Sequence, residues 1–573
     1  MHDLVIRGGT IVDGTGRTSF TGDVAVDGAK ITTVGGRAGP SRRDIAADGL
    51  LVTPGWVDIH THYDGQATWD PVMAPSSWHG ATTILMGNCG VGFAPVRKEH
   101  RAALIDLMEG VEDIPGIALA EGLQWNWESF PQYLDALDAM PRTIDVAAQV
   151  PHHPLRVYVM GERAIRHEAA RAEDIEAMHR LALDGMRAGA FGFTTSRTES
   201  HRTTRGELVP GRHAENRELL GIGAALGKAG AGAFGMLSDF DDEAAEFAWM
   251  TELAHSTERP VWFLLTDRAT DPQRWQRLMQ GVHRARKTGA AITAQVAGRP
   301  VGVLLGFSTS LNPFTPKPSF AALAELPAKE RLARLRDSAL RQRIIGEAND
   351  PGRMEVLTPL QREIVTRWDR QYPLGDPPDY EPTDERSIAA MAGRAQQSPA
   401  AFCYDYLFEG DGTRMLFFPI TNYVHGDHGV VHRMLTDPAT LLGLGDGGAH
   451  CGIICDASVP SFMLTHWVRD RVRGPRLPLE WVVKRQTSET AEFFGFTDRG
   501  RLAPGLKADI NVIALDRLRL HHPELVNDLP ASGRRLVQRV EGYAATIVSG
   551  LPIFEGGHET GALPGRLVRA GRP

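Results

Sequence analysis

The chain has 573 residues, a formal charge of −8 and a pI near 6.2, and so lacks the basic footprint of a nucleic-acid binder. With 42 % hydrophobic residues and 61 glycines spread along its length, it reads as globular rather than disordered. Four cysteines do not make a disulfide framework, and Cys451 and Cys455 have no second pair at zinc-site spacing. The opening "MHDLVIRGGTIVDG" has neither a basic n-region nor an apolar h-region, and no apolar run approaches the ~18 residues of a membrane span. The expectation is a cytoplasmic protein with no membrane partner.

Residues 1–50 alternate apolar and polar positions. "DLVIRGGTIVDG" and "DVAVDGAKITTVG" are β-branched runs stopped by Asp-Gly or Gly-Gly, which predicts hairpin strands. "ADINVIAL" and "ATIVSGLPIFEGG" repeat the style near the other end. Neither end holds enough apolar surface for its own core. Residues 1–54 and 499–560 are therefore expected to join in one small β-sandwich domain.

Between them the rhythm changes. "GAFGFTTS", "AGAFGMLSD", "RPVWFLLTD" and "AAITAQVAGRPV" are short apolar strands, separated by helix-like text such as "ENRELLGIGAALGKAG" and "DDEAAEFAWMTELAHSTE". Strand and helix at about 30 residues per unit predict βα units and a parallel sheet. The polar residues that end these strands fit a (β/α)8 barrel over 55–498, which keeps its site at the strand C-termini. Residues 313–398 break the rhythm with charged helical text ("PAKERLARLRDSALRQRIIGEA") and a Pro-rich stretch, and read as an insertion over the barrel mouth or as a surface excursion. The interleaved charges read as a solvated helix face.

The chemistry starts at "VTPGWVDIHTHYDGQ". On a strand, residues i and i+2 face one side, so His60 and His62 can grip one cation. With 21 histidines in the chain, about one such pair arises by chance. The preceding apolar strand with its Pro-Gly and the following Asp64 set this one apart.

"DLVIRGGTIVDG", "TPGWVDIHTH" and "GRLAPGLKADINVI", in that order, resemble the landmarks of the amidohydrolase superfamily, over essentially the whole chain. "MGNCGVGFAP" is similar to the N-acyl-D-amino-acid deacylase branch, where a cysteine after the second strand takes the place of a modified lysine. The resemblance implies that Cys89 ligates metal with His60 and His62. A thiolate is a good zinc ligand. It further implies that Asp446, in "ATLLGLGDGGAHCG", both binds metal and acts as general base, taking a proton from metal-bound water and passing it to the leaving nitrogen.

The chain also departs from that pattern. The branch has a histidine after the fifth and the sixth strand, which hold a second metal. Here the segments read "AFGMLSD" and "VWFLLTD", with Met236, Leu237, Leu264 and Leu265 in those places. One zinc per chain is therefore expected, in a mixed His/Cys/Asp set that iron, manganese or cobalt could also occupy. Asp239 and Asp267, which end the same strands, are alternative ligands. His152, Arg197, His201 and His450 lie after expected strand ends and are candidate substrate contacts. No arginine for a substrate carboxylate follows Asp446 in "GGAHCGIICDASVPS". The resulting reading is hydrolysis of a small amide, an N-acyl amino acid or a relative. Another amide, lactam, carbamate or cyclic imide stays open, as do a catalytically inactive scaffold and a homo-oligomer.

Overall fold

The computed structural model describes residues 1–454 and 456–571, so Cys455 lies outside the described residues. Strands from both ends of the chain share one nine-stranded sheet. Its path runs from His558–Glu559 through Leu551–Glu555, Tyr543–Val548, Ile510–Ile513, Leu51–Pro54, His2–Ile11 and Phe20–Asp27 to Lys30–Val34, with Ser41–Ala46 paired to His2–Ile11. The seam is antiparallel, Ile510 opposite Pro54 and Ile513 opposite Leu51. The alternation read in the sequence buries Leu4, Ile6, Val24, Val26, Ile510, Val512 and Ile547 in a common cluster. Two further two-stranded sheets, Arg519–Leu520 with Val540–Glu541 and Glu524–Leu529 with Gly533–Val537, lie in the C-terminal part of the chain.

The centre of the chain forms two wholly parallel sheets. Trp56–Asp58, Ala81–Met86 and Asp145–Ala148 make one. Val150–Pro151, Gly192–Arg197, Ala233–Ser238, Val261–Leu265, Ile292–Val296 and Thr440–Leu442 make the other. Parallel neighbours need crossover connections, and helices such as Ala172–Ala188, Asn216–Ala229 and Glu243–Thr257 supply them. Local chemistry marks several helix ends. Ser129 and Gln132 form a capping box at the start of Phe130–Asp138, and Gly189 at φ 115° stops Ala172–Ala188. A parallel bridge joins Thr61 to Gly447, so the first strand of one sheet meets the last of the other.

Two features went unread in the sequence. The excursion is longer than 313–398. It is bracketed by the antiparallel strands Gly302–Leu305 and Leu416–Pro419, with Tyr372–Pro373 on the far side. It has its own apolar cluster around Phe307, Phe314, Ile344, Tyr404 and Phe418. Beyond residue 560 the chain runs back along Asp145–Ala148, where Val146 donates to the carbonyl of Arg566 and Val568 donates to that of Val146.

A buried ion cluster ties the terminal segments to the central strands. Asp145 receives Arg499 Nη1 at 2.6 Å, Lys507 Nζ at 3.0 Å and the amide of Arg566 at 3.0 Å. Burial alone would raise its pKa, but Lys507 and Arg499 outweigh burial and hold it below the usual carboxylate range. Asp145→Asn leaves two buried cations short of a partner, and should cost about 3–5 kcal/mol in denaturant unfolding. Because the folded pKa is depressed, this contribution should be complete above pH ~4 and lost as pH falls below it, a slope that the Asn variant should lack.

Candidate metal centre

Every member of the site follows a parallel strand at its C-terminal end. His60 and His62 lie just past Trp56–Asp58, Cys89 in the turn Asn88–Gly90 after Ala81–Met86, and Asp446 after Thr440–Leu442. Cys89 and Asp446 both adopt positive φ, 53° and 41°, a conformation that costs non-glycine residues roughly 1–3 kcal/mol and gathers at functional sites. Gly87, also at positive φ, lets the chain turn there, since a Cβ would sit 2.3 Å from the carbonyl oxygen of Gln149.

These four side chains converge. Asp446 Oδ1 is 3.5 Å from Nε2 of His60 and 3.5 Å from Nε2 of His62. Cys89 Sγ is 3.6 Å from His60 Nε2, and the ligand atoms of His60, His62 and Cys89 all lie within 4.8 Å of one another. Tetrahedral zinc with Zn–N ~2.0–2.1 Å and Zn–S ~2.3 Å has N···N or N···O edges of ~3.3 Å and N···S edges of ~3.6 Å. His60, His62 and Cys89 form a donor group for one such ion, with Asp446 Oδ1 beside the two imidazoles.

The surroundings prepare the donors. Gln295 Oε1 lies 2.6 Å from Nδ1 of His60; an amide oxygen accepts, so Nδ1 carries the hydrogen and Nε2 keeps its lone pair for a cation. Burial pushes the His60 pKa down to about 4, which keeps the ring neutral. His62 differs. Burial opposes its charge, but Glu112 and Asp446 outweigh burial and raise its pKa well above the usual value. Burial lifts the Cys89 thiol to about 11. A cation entering here displaces the protons of Cys89 and His62, so uptake is coupled to proton release. Burial also tends to raise Asp446, yet the hydrogen bond from His62 and the charges of His60, His62 and His450 hold it at about 2, an ionised carboxylate.

Glu112, at the end of the helix Arg101–Glu112, was not singled out in the sequence. Its Oε1 is 3.3 Å from Nδ1 of His62, near enough for charge pairing though not aligned for a hydrogen bond, and its Oε2 is 3.6 Å from Nε2 of His450. His450 is thereby brought beside the cluster, and so is His201. Burial, together with the charges of His450 and His62, drives the His201 pKa down to about 3. His201 Nδ1 meets Ser196 Oγ at 3.1 Å, and Ser196 in turn meets His153 Nε2 at 2.9 Å.

His152 and Arg197 are employed elsewhere. His152 spans Thr195 Oγ1 (2.7 Å) and Glu218 Oε1 (3.0 Å), while Arg197 binds Glu246 and Asn216 and lies over the Trp249 ring. Strand parity explains this. The strand Gly192–Arg197 continues to Arg197, so Thr195 and Arg197 share one face and Thr194 and Ser196 the other. Thr194 bonds Gly90 beside Cys89, which places Arg197 on the face turned toward the helices. Asp239 accepts from Thr198 and from the amide of Glu199. Met236, Leu264 and Leu265 are buried and offer no donor for a second ion.

Residues 43–554 match the model of the amidohydrolase family, and the chain belongs to that family. It is 26 % identical to a D-aminoacylase of Alcaligenes xylosoxydans xylosoxydans over 99 % of this chain and 97 % of that one. It is also 26 % identical to an N-acyl-D-aspartate deacylase of the same organism, over 99 % and 95 %. Among solved structures, a D-aminoacylase described as having a binuclear metal centre superposes with a TM-score of 0.65 at 22 % identity, covering 99 % of this chain and all of that one. An N-acyl-D-glutamate deacylase of Bordetella bronchiseptica, complexed with zinc and a phosphonate inhibitor, gives 0.63 at 22 % over the same shares. The protein is thus a metal-binding hydrolase of carbon–nitrogen bonds other than peptide bonds, in the D-aminoacylase-like branch. Among the described residues no helix is long and apolar enough to cross a membrane.

If Glu112 and Gln295 orient the ligand rings, Glu112→Ala and Gln295→Leu should each weaken zinc binding at this centre about 10–100-fold in chelator competition, the usual effect of losing a group that positions a ligand. Unchanged affinity in both would remove that role.

Proposed function

We propose that the protein hydrolyses the amide bond of a small N-acylated D-amino acid or a close relative, using one zinc ion held by His60, His62, Cys89 and Asp446. The grouping of two imidazoles and a thiol, with a carboxylate 3.5 Å from both imidazoles, carries this reading. The names of the relatives supply the substrate class. The absence of donors at Met236, Leu264 and Leu265 supports a single ion here. In this reading the two parallel sheets form one (β/α)8 barrel. Val150–Pro151 continues the strand Asp145–Ala148 past Gln149, and the Thr61–Gly447 bridge closes the ring. Residues 1–54 and 499–560 form the accompanying β-domain, and 302–419 the excursion beside the mouth.

A bound divalent cation would lower the pKa of a water molecule and polarise the amide carbonyl. The chain's own groups do the rest. Asp446, held ionised, accepts the proton that the attacking water loses and returns it to the leaving nitrogen. Gln295 fixes the His60 imidazole by a hydrogen bond, and Glu112 stands beside His62 as its charge partner. His201, kept neutral by burial, and His450, a quarter exposed, form the polar margin that meets the substrate. With no arginine directly after Asp446, these imidazoles are the groups proposed to meet a substrate carboxylate.

Purified protein should cleave members of a panel of N-acyl-D-amino acids faster than their L forms, N-carbamoyl compounds or cyclic imides. Asp446→Asn should lower kcat by about 10²–10⁴-fold, as expected for loss of a general base, while much of the zinc stays bound. His60→Ala should lose both the activity and one zinc equivalent. Near-normal turnover by Asp446→Asn, or a preference for cyclic imides, would contradict the proposal.

A further inference from the structure

Away from this centre a second group of donors converges. Glu381 Oε2 is 3.0 Å from Nε2 of His466 and 3.7 Å from Nδ1 of His428, and the two ring nitrogens are 3.1 Å apart. These three edges bracket the ~3.3 Å edge of a tetrahedral zinc site with Zn–N ~2.0–2.1 Å. Glu381 and His428 are buried and His466 is partly exposed. The three come from separate parts of the chain: Glu381 from the excursion, His428 from the residue before the helix Gly429–Thr436, and His466 from the π-helix Met463–Asp470.

The hydrogen bonds assign the lone pairs. Nε2 of His428 is 3.0 Å from the carbonyl oxygen of Tyr380, which only accepts, so Nε2 carries the hydrogen and Nδ1 presents its lone pair to the cluster. This is the usual way a protein fixes the tautomer of a ligating histidine. Nε2 of His466 then faces a lone pair and a carboxylate together. Without a cation, one proton on that nitrogen serves both neighbours; a divalent cation would take its place. The wide turn that carries His466 is a second, independent mark. Its carbonyl accepts from Arg471 five residues on, and such π-turns recur at functional sites because they re-aim a side chain. The ring lies flat against Phe462, with centroids 4.6 Å apart, which holds its orientation.

We propose that Glu381, His428 and His466 form a second, auxiliary site for a zinc-type divalent cation, separate from the hydrolytic centre. His466 and Glu381 stand in the wall of a groove of ≈ 950 Å³, from which water could supply a fourth ligand. The ion would tie the excursion to the π-helix. Arg471 reaches Glu381 with Nη2 at 3.1 Å from Oε1 and Nε at 3.2 Å from Oε2. This fork orients the carboxylate and also offsets its charge. The auxiliary site is therefore the weaker of the two and gives up its metal first.

The test is a metal count on the full-length protein, stripped, reloaded with excess zinc and desalted. Wild type should hold two equivalents, and His466→Gln and His428→Asn one each. His60→Ala should also hold one, and the His60→Ala/His466→Gln double variant none. Competition with a chromogenic chelator should be biphasic in wild type, and His466→Gln should lack the faster phase. Because a single variant can fail to fold, His60→Ala is also followed by thermal melting and by cobalt absorption. Zinc should raise its Tm and cobalt should give a visible d–d band, and both effects should vanish in the double variant. Equal zinc in wild type and His466→Gln, or a His60→Ala protein that neither binds zinc nor shifts its Tm, would overturn the proposal. Failure of the hydrolytic reading would instead appear as loss of the equivalent that depends on His60, with the one depending on His466 intact.

Discussion

The amide of His62 donates to the carbonyl of Gly447 at 2.8 Å, joining the start of the central strand system to its end. The rest of the site depends on that contact. His60 and His62 face one way because they are two apart in extended chain. Asp446 reaches them only because its neighbour is hydrogen-bonded between them. The strain at Asp446 and Cys89 is borne by this framework of parallel strands, which fixes where each strand ends and so where its last polar side chain points.

Much of this was legible in the sequence, for physical reasons. Alternation at period two marks strands, and "DVAVDG" and "ADINVI" show it, so the pairing of the two chain ends could be foreseen, although both strands are buried on both faces. The short apolar runs between helical text gave the parallel strands. The facing pair His60/His62 follows from parity alone. Cys89 and Asp446 carry no periodic mark, and only the likeness to a known family pointed to them. Glu112 was invisible because a glutamate in the last turn of "RAALIDLMEGVE" looks like any other helical acid, and its meaning comes from His62 and His450, far away in sequence. His152 and Arg197, candidate substrate contacts by sequence, have other partners in the fold. The helix that starts at His152 and the strand that runs on to Arg197 turn them toward Glu218 and Glu246. The run after residue 560 lacks alternation, and its pairing rests on backbone groups that every residue has.

The two donor clusters share one device and differ in another. In each, a buried imidazole gives one nitrogen to an oxygen that can only accept, Gln295 for His60 and Tyr380 for His428, and so leaves the other nitrogen basic. Orientation is built before any cation arrives, which reduces the ordering cost of binding. The difference lies in charge. Cys89 and Asp446 bring two potential anions to the first cluster, and Glu112 lies behind them. In the second, the single carboxylate of Glu381 is already paired with Arg471. In the proposed reading that contrast makes the first cluster the stronger site.

The central claim concerns position: one cation among His60, His62, Cys89 and Asp446. Diffraction from zinc-loaded crystals on either side of the zinc absorption edge locates that ion without reference to activity. The account predicts an anomalous peak at ligand distance, ~2.0–2.3 Å, from the two Nε2 atoms, Cys89 Sγ and Asp446 Oδ1. Fully loaded protein with no peak at this cluster, or a peak that leaves Cys89 Sγ outside ligand distance, would contradict it.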